Sequence, residues 1–181
     1  MRCIVASCAA VAALSSSAAF ADVTISFTNF TATGFQFSQV AAPGTLSGSI
    51  TGVSVNATLT ASTNFTYADD LCVYLDVIPL STAGLVQVGG YSDLSASQRY
   101  FWTNGGSDAP GTVVDSTVNF LTPVNMATRD LSVYLGNGYG AGGTSGTWTG
   151  SITLLGVTAV PAPGAIALLG LAGFASRRRR A

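Results

Sequence analysis

Asp69 and Asp70 stand side by side where a polar stretch gives way to the apolar run 71–77, and they are the residues of this chain best placed to do chemistry. Two adjacent carboxylates at a strand start, with Asp76 or Asp93 nearby, could offer hard oxygen ligands to calcium. Neighbours on a strand point to opposite faces, so the pair can share an ion only while Asp70 still belongs to the loop. A carbohydrate-active enzyme of the glycosidase type would need two of the chain's eight aspartates, whichever they are, to converge in a concave pocket at roughly 5 to 10 Å. The plainer alternative is a solvated turn.

Other chemistries lack their residues. Between a basic start and a basic end, the body holds two basic residues, Arg99 and Arg129, against eight aspartates, a formal charge of −6. It has no histidine, lysine or glutamate. A serine or cysteine nucleophile therefore has no ordinary base, and zinc has no histidine and only one body cysteine, Cys72. Two arginines cannot neutralise a run of phosphates, which excludes nucleic acid as a partner. Cys72 lies inside the run 71–77, which favours burial over a cross-link between chains. The aromatic residues Tyr91, Tyr100, Trp102, Tyr139 and Trp148 could stack on sugar rings or fill a core. The glycine-rich segment 136–146 reads either as a carbohydrate-contacting loop or as a flexible hairpin connection.

The elements that must position these residues are strands. Segments 23–27, 35–37, 50–59, 71–77, 85–88, 112–120, 131–135 and 147–155 are rich in β-branched and aromatic residues, and glycine, asparagine, serine or aspartate separates most of them. Strict alternation in 53–59 puts Val53, Val55, Ala57 and Leu59 on a buried face and Ser54, Asn56 and Thr58 towards solvent. No body segment has a helical period with capping signals. The expected fold is all-β, an antiparallel β-sandwich or jelly roll of about eight strands over residues 22–158. Weakly charged edges of such a domain invite strand addition by another copy.

Segment 66–75, then Phe101-Trp102-Thr103, then 131–135 with 143–154, resembles the P domain found beside subtilisin-like proteases, in which an acidic-leucine strand start and a late Gly-x-Trp strand belong to one jelly roll. The resemblance implies an accessory, non-catalytic module.

Both ends read as addresses. Met1 and Arg2, the apolar run 3–14 and the small-x-small pattern Ala19-Phe20-Ala21 predict a signal peptide over 1–21, cut by signal peptidase before Asp22. Cys8 comes too early to be an acylated lipoprotein cysteine, because no apolar core precedes it. At the other end, segment 159–181 runs through Val160-Pro161-Ala162-Pro163-Gly164, a short apolar stretch and Arg177, Arg178, Arg179 and Arg180. A helix over 164–176 would reach about 20 Å, short of a hydrocarbon core of about 30 Å. The arginines hold the C-terminus on the cytoplasmic side. The stretch has no polar face, which argues against an amphipathic helix packed on the domain.

This end resembles the PEP-CTERM sorting signal processed by exosortase-type membrane proteases, with Ala162 where the family is named for glutamate. The resemblance implies inner-membrane transit, transient anchoring in the membrane by the short helix, cleavage near the proline motif, and delivery to the cell surface or an extracellular polysaccharide matrix. The function expected is that of an exported structural or adhesive protein, non-catalytic, its body either a passive module or a carbohydrate-contacting one. The alternatives are a secreted carbohydrate-active enzyme and a calcium-stabilised binding domain.

Overall fold

The computed structural model describes residues 22–161 apart from 83, 92, 93 and 129. The signal cleavage residues Ala19 and Ala21, the sorting residues Ala162, Pro163 and Gly164, and Arg177 to Arg180 lie outside the described residues. Among the described residues no helix is long and apolar enough to cross a membrane.

Nine strands follow in order: β1 (Val23–Thr33), β2 (Phe37–Ala41), β3 (Leu46–Thr63), β4 (Leu71–Asp76), β5 (Val86–Val88), β6 (Gln98–Tyr100), β7 (Val113–Asn125), β8 (Ser132–Asn137) and β9 (Ser145–Ala159). They form two sheets ordered β1-β9-β3-β7 and β2-β8-β4-β5-β6. Successive strands alternate between sheets from β1 to β4 and again from β7 to β9, which is jelly-roll wiring with β5 and β6 completing the second sheet.

All pairings are antiparallel except β5 with β6, which is parallel. The expected eight strands become nine because β6, Gln-Arg-Tyr, carries no alternation and owes its extended form to pairing with β5. The second strand also shifts, from 35–37 to Phe37–Ala41, where its residues face β8. β1 runs beyond Phe27 to Thr33 by absorbing Asn29 in a bulge, at a φ of 52°, with the Asn29 N–H donating to Thr149 Oγ1 at 3.0 Å.

The core follows the pattern of β3. Val53, Val55, Ala57 and Leu59 are buried, and they meet Ile152 and Leu154 of β9 and Val114 of β7 beneath Leu71, Val73 and Leu75 of β4. β4 is buried on both faces, which explains its unbroken apolar run. Its second face, Cys72 and Tyr74, joins Leu94 and Tyr134 in a smaller core. The Tyr74 hydroxyl donates to the carbonyl of Leu94 at 2.6 Å and the Tyr134 hydroxyl to that of Val77 at 2.9 Å, so the segment after β4 is tied down over this face.

The free edge of β7 is partly occupied. Asp115 N–H donates to Asn104 Oδ1, Asn104 Nδ2 donates to the Asp115 carbonyl, and Leu121 N–H donates to the Tyr100 hydroxyl, at 2.7 to 2.9 Å. These side chains take the main-chain groups that strand addition would need there.

Cys72 is a free, buried thiol, and burial pushes its pKa up. We expect iodoacetamide to leave Cys72 unmodified in the native chain and to carbamidomethylate it in denaturant, read by the mass of the peptide that contains it. Rapid labelling of Cys72 in the native chain would contradict this placement.

Candidate aromatic cleft

A three-residue 3₁₀ turn, Ala68–Asp70, sits between β3 and β4 and carries both candidate carboxylates. The turn is a junction for three other loops. Ala68 N–H donates to the Ser107 carbonyl and Asp69 N–H to that of Gly105, while Gly90 N–H donates to the Asp69 carbonyl and Gly138 N–H to that of Asp70, all at 2.8 to 3.2 Å. Both tryptophans of the chain brace it. Trp148 Nε1 donates to the Ala68 carbonyl at 3.1 Å and Trp102 Nε1 to the Leu71 carbonyl at 2.7 Å. The loops so gathered bring Phe65, Tyr67, Tyr91, Phe101, Trp102 and Tyr139 around Asp69, Asp70 and Gly90.

The result is a cleft of about 330 Å³, within the range of small-ligand sites. Three of its rings are held well out to solvent: Tyr91 is 74 % exposed, Phe65 71 % and Phe101 56 %. Nothing in folding calls for this, since each exposed ring forgoes burial worth about 1.5–3 kcal/mol. Phe65 is also held on a left-handed backbone, with φ of 53° at Asn64 and 61° at Phe65, a conformation costing about 1–2 kcal/mol per residue. Asn64 Nδ2 fixes this loop by donating to the Gly143 carbonyl at 3.0 Å. Strain that keeps a large apolar ring in water points to a ligand.

The remaining rings are set by contact. Tyr91 and Tyr139 meet edge to face, centroids 5.9 Å apart at 88°. The Arg99 guanidinium lies 4.7 Å from the centre of the Phe101 ring, and its Nη2 donates to the Tyr91 carbonyl at 2.7 Å. One arginine thereby orients two walls of the cleft.

The carboxylates differ. Asp70 is buried, and its Oδ2 accepts the Tyr67 N–H at 2.7 Å, tying the residue before the turn to its last residue. Loss of solvation raises its pKa to about 6; the Tyr67 N–H opposes this, the charge of Asp69 adds to it, and the Tyr91 N–H opposes it. Asp69 is half-buried, and burial raises its pKa as well, against a hydrogen bond from its own backbone.

Asp70 thus binds its proton more tightly folded, at about 6, than at its ordinary 3.8. The stability it contributes is complete below about 3.8 and is lost as pH rises through about 6, with Asp69 acting in the same direction. We expect the Asp70 contribution to lower the melting temperature from pH 4 towards pH 7, and Asp70→Asn to flatten that slope, in thermal melts followed by circular dichroism. A slope unchanged in Asp70→Asn would contradict the assignment.

Of the aromatic residues singled out from sequence, Tyr91, Trp102 and Tyr139 line the cleft. Tyr100 instead stacks on Phe120 at 5.2 Å, and Trp148 is fully buried. Phe65, Tyr67 and Phe101 were not anticipated, although Phe65 lies in a polar stretch of Asn and Thr where an apolar ring has no strand to join. The glycine-rich connection contributes Tyr139 to the cleft, and so serves as more than a link between β8 and β9. Asp70 does remain in the turn before β4, as sharing an ion requires. Asp76, however, is at the opposite end of β4, where its carboxylate accepts from Val77 N–H and the Ser81 hydroxyl. Asp93 lies outside the described residues. Among the described residues, no three His, Cys, Asp or Glu side chains form a group able to hold a metal.

The cleft lies at one end of the sandwich and the chain leaves at the other. β3 runs from Leu46, paired with Ala159, to Thr63, paired with Ser145, and its 18 residues span roughly 50 Å. The turn and Phe65 follow Thr63, whereas Val160, whose N–H donates to the Thr45 carbonyl at 2.8 Å, and Pro161 lie beyond the Leu46 end. Asp22 sits in that same half, its Oδ1 accepting the Gly156 N–H at 2.9 Å. Comparisons of this chain with protein-family models, curated proteins and solved structures give no match.

Proposed function

We propose that the chain is an exported, non-catalytic surface or extracellular-matrix protein whose jelly-roll body contacts carbohydrate through the aromatic cleft. The observation that carries this reading is the set of solvent-held rings, Phe65, Tyr91 and Phe101, beside two carboxylates. Aromatic faces stack on the C–H faces of sugars, and carboxylates accept from hydroxyls, so the cleft matches both sides of a sugar ring. A signal peptide cut at Ala19-Phe20-Ala21 by signal peptidase, and a tail processed by an exosortase-type protease at Val160-Pro161-Ala162-Pro163-Gly164, account for the two ends. The tail would tether the body at the Leu46 end, so the cleft would face outward, towards a matrix.

Asp69 and Asp70 leave a single turn, whereas a glycosidase pair flanks the scissile bond from two sides. That arrangement supports recognition over hydrolysis. A calcium-stabilised domain would draw six to eight oxygens around the ion, and the cleft offers two carboxylates from adjacent residues.

The test removes rings that folding does not use. Phe65→Ala with Tyr91→Ala is expected to leave the denaturation midpoint nearly unchanged, since both rings are exposed and relief of strain at residue 65 is not expected from Ala. Retention on a column of polysaccharide from the producing cells should fall by about tenfold or more. Equal retention of variant and wild type would refute the carbohydrate reading.

A further inference from the structure

We infer that the sugar this cleft selects carries a free ammonium group, so that its polymer is an amine-bearing polysaccharide. The inference rests on the carbohydrate reading of the cleft and adds a charge to it. The lining consists of six aromatic residues, Asp69, Asp70 and one glycine, with no basic side chain among them. Arg99, the one described cation of the body, stacks on Phe101 and is committed to the Tyr91 carbonyl. Aromatic faces attract cations through their quadrupoles, and a ring cluster backed by carboxylate is the arrangement that holds substituted ammonium groups.

The electrostatics agree. Burial raises both carboxyls, the charge of Asp69 adds to the rise at Asp70, and only backbone N–H groups oppose it, so no cation is among the groups that offset the rise. A bound ammonium would supply that counter-charge. With a body charge of −6, a uronate polymer would be repelled, while a neutral sugar would use the rings and leave the charge unanswered. An amino sugar answers both: its C–H face stacks and its ammonium pairs with Asp69, the less buried of the two carboxylates.

The test is a fluorescence titration of the full-length chain, in which Trp102 reports on the cleft. The probes are β-1,4-linked glucosamine oligomers, the same oligomers fully N-acetylated, alginate, and spermidine as a cation without a sugar. The amine oligomer should bind about tenfold more tightly than the acetylated one, with spermidine and alginate weaker than both. Asp69→Asn should erase that preference. Asp115→Asn, which removes the same charge from exposed β7, should retain it.

Equal affinity for the acetylated and amine oligomers, or a preference for alginate, would overturn the ammonium inference and leave the carbohydrate reading standing. Spermidine binding as tightly as the oligomer would overturn it, as would equal losses in Asp69→Asn and Asp115→Asn, since both mean diffuse charge attraction. Binding of no sugar would overturn both readings.

Discussion

Trp148→Ala is expected to cost about 3–5 kcal/mol, a large share of the roughly 5–15 kcal/mol that holds a domain of this size. Trp148 is wholly buried in the main core, and its ring also packs against the backbone of Gly146 two residues before it. Truncation would open a cavity between the sheets and also release the Ala68 carbonyl from the indole N–H. Trp148→Phe separates these effects. It keeps most of the packing but leaves the carbonyl without its partner, for a smaller loss of about 1–3 kcal/mol. Urea denaturation would measure both, as a lower midpoint at unchanged slope. An effect of Trp148→Ala below about 1 kcal/mol would contradict the core described.

Gly90→Ala should do to the cleft what Trp148→Ala does to the core. Gly90 adopts a φ of 81°, and a Cβ there would stand 2.6 Å from the Cα of Gly138. The obstacle is backbone, so no side chain can swing aside. The left-handed strain and the overlap together are expected to cost about 2–4 kcal/mol. The larger consequence is for binding. The loop bearing Tyr91 must part from the loop bearing Tyr139, breaking their edge-to-face contact, and sugar affinity should fall by about tenfold or more. Nuclear magnetic resonance would show shifts confined to the loops around 89–91 and 137–139 and to the turn Ala68–Asp70. Shifts spread over β1 and the centre of β3 would mean that the glycine serves the fold as a whole.

How much of this was legible in the sequence depends on the range of the interactions involved. Alternation in Val53, Val55, Ala57 and Leu59 is a local property, and the strand it predicts is there. The burial of Cys72 followed from the apolar run around it, though the smaller core that covers it did not, because Leu94 and Tyr134 reach it from other parts of the chain. β6 was invisible because pairing with β5, and no pattern in Gln98-Arg99-Tyr100, makes it a strand.

The cleft was legible only in fragments. Asp69-Asp70 stood out as a pair, and Tyr91, Trp102 and Tyr139 as sugar-stacking candidates. Tyr100 and Phe101 show what was missing: neighbours of one kind part company, Tyr100 against Phe120 and Phe101 into the cleft. Which of the two turns outward depends on the phase of a three-residue strand, and composition does not set phase. Nor could it be read that three loops distant in sequence converge on one turn, since the order of strands in the two sheets brings them together.

The exported, carbohydrate-contacting reading is tested most directly by fractionating producing cells and measuring the intact mass of the chain in each fraction, for wild type and for Phe65→Ala with Tyr91→Ala. Both chains are expected to begin at Asp22, to lack Arg177 to Arg180 and to reach the extracellular material, and only the wild type to stay with the polysaccharide. Surface material that retains Arg177 to Arg180, or a variant held by the polysaccharide as firmly as the wild type, would contradict this reading.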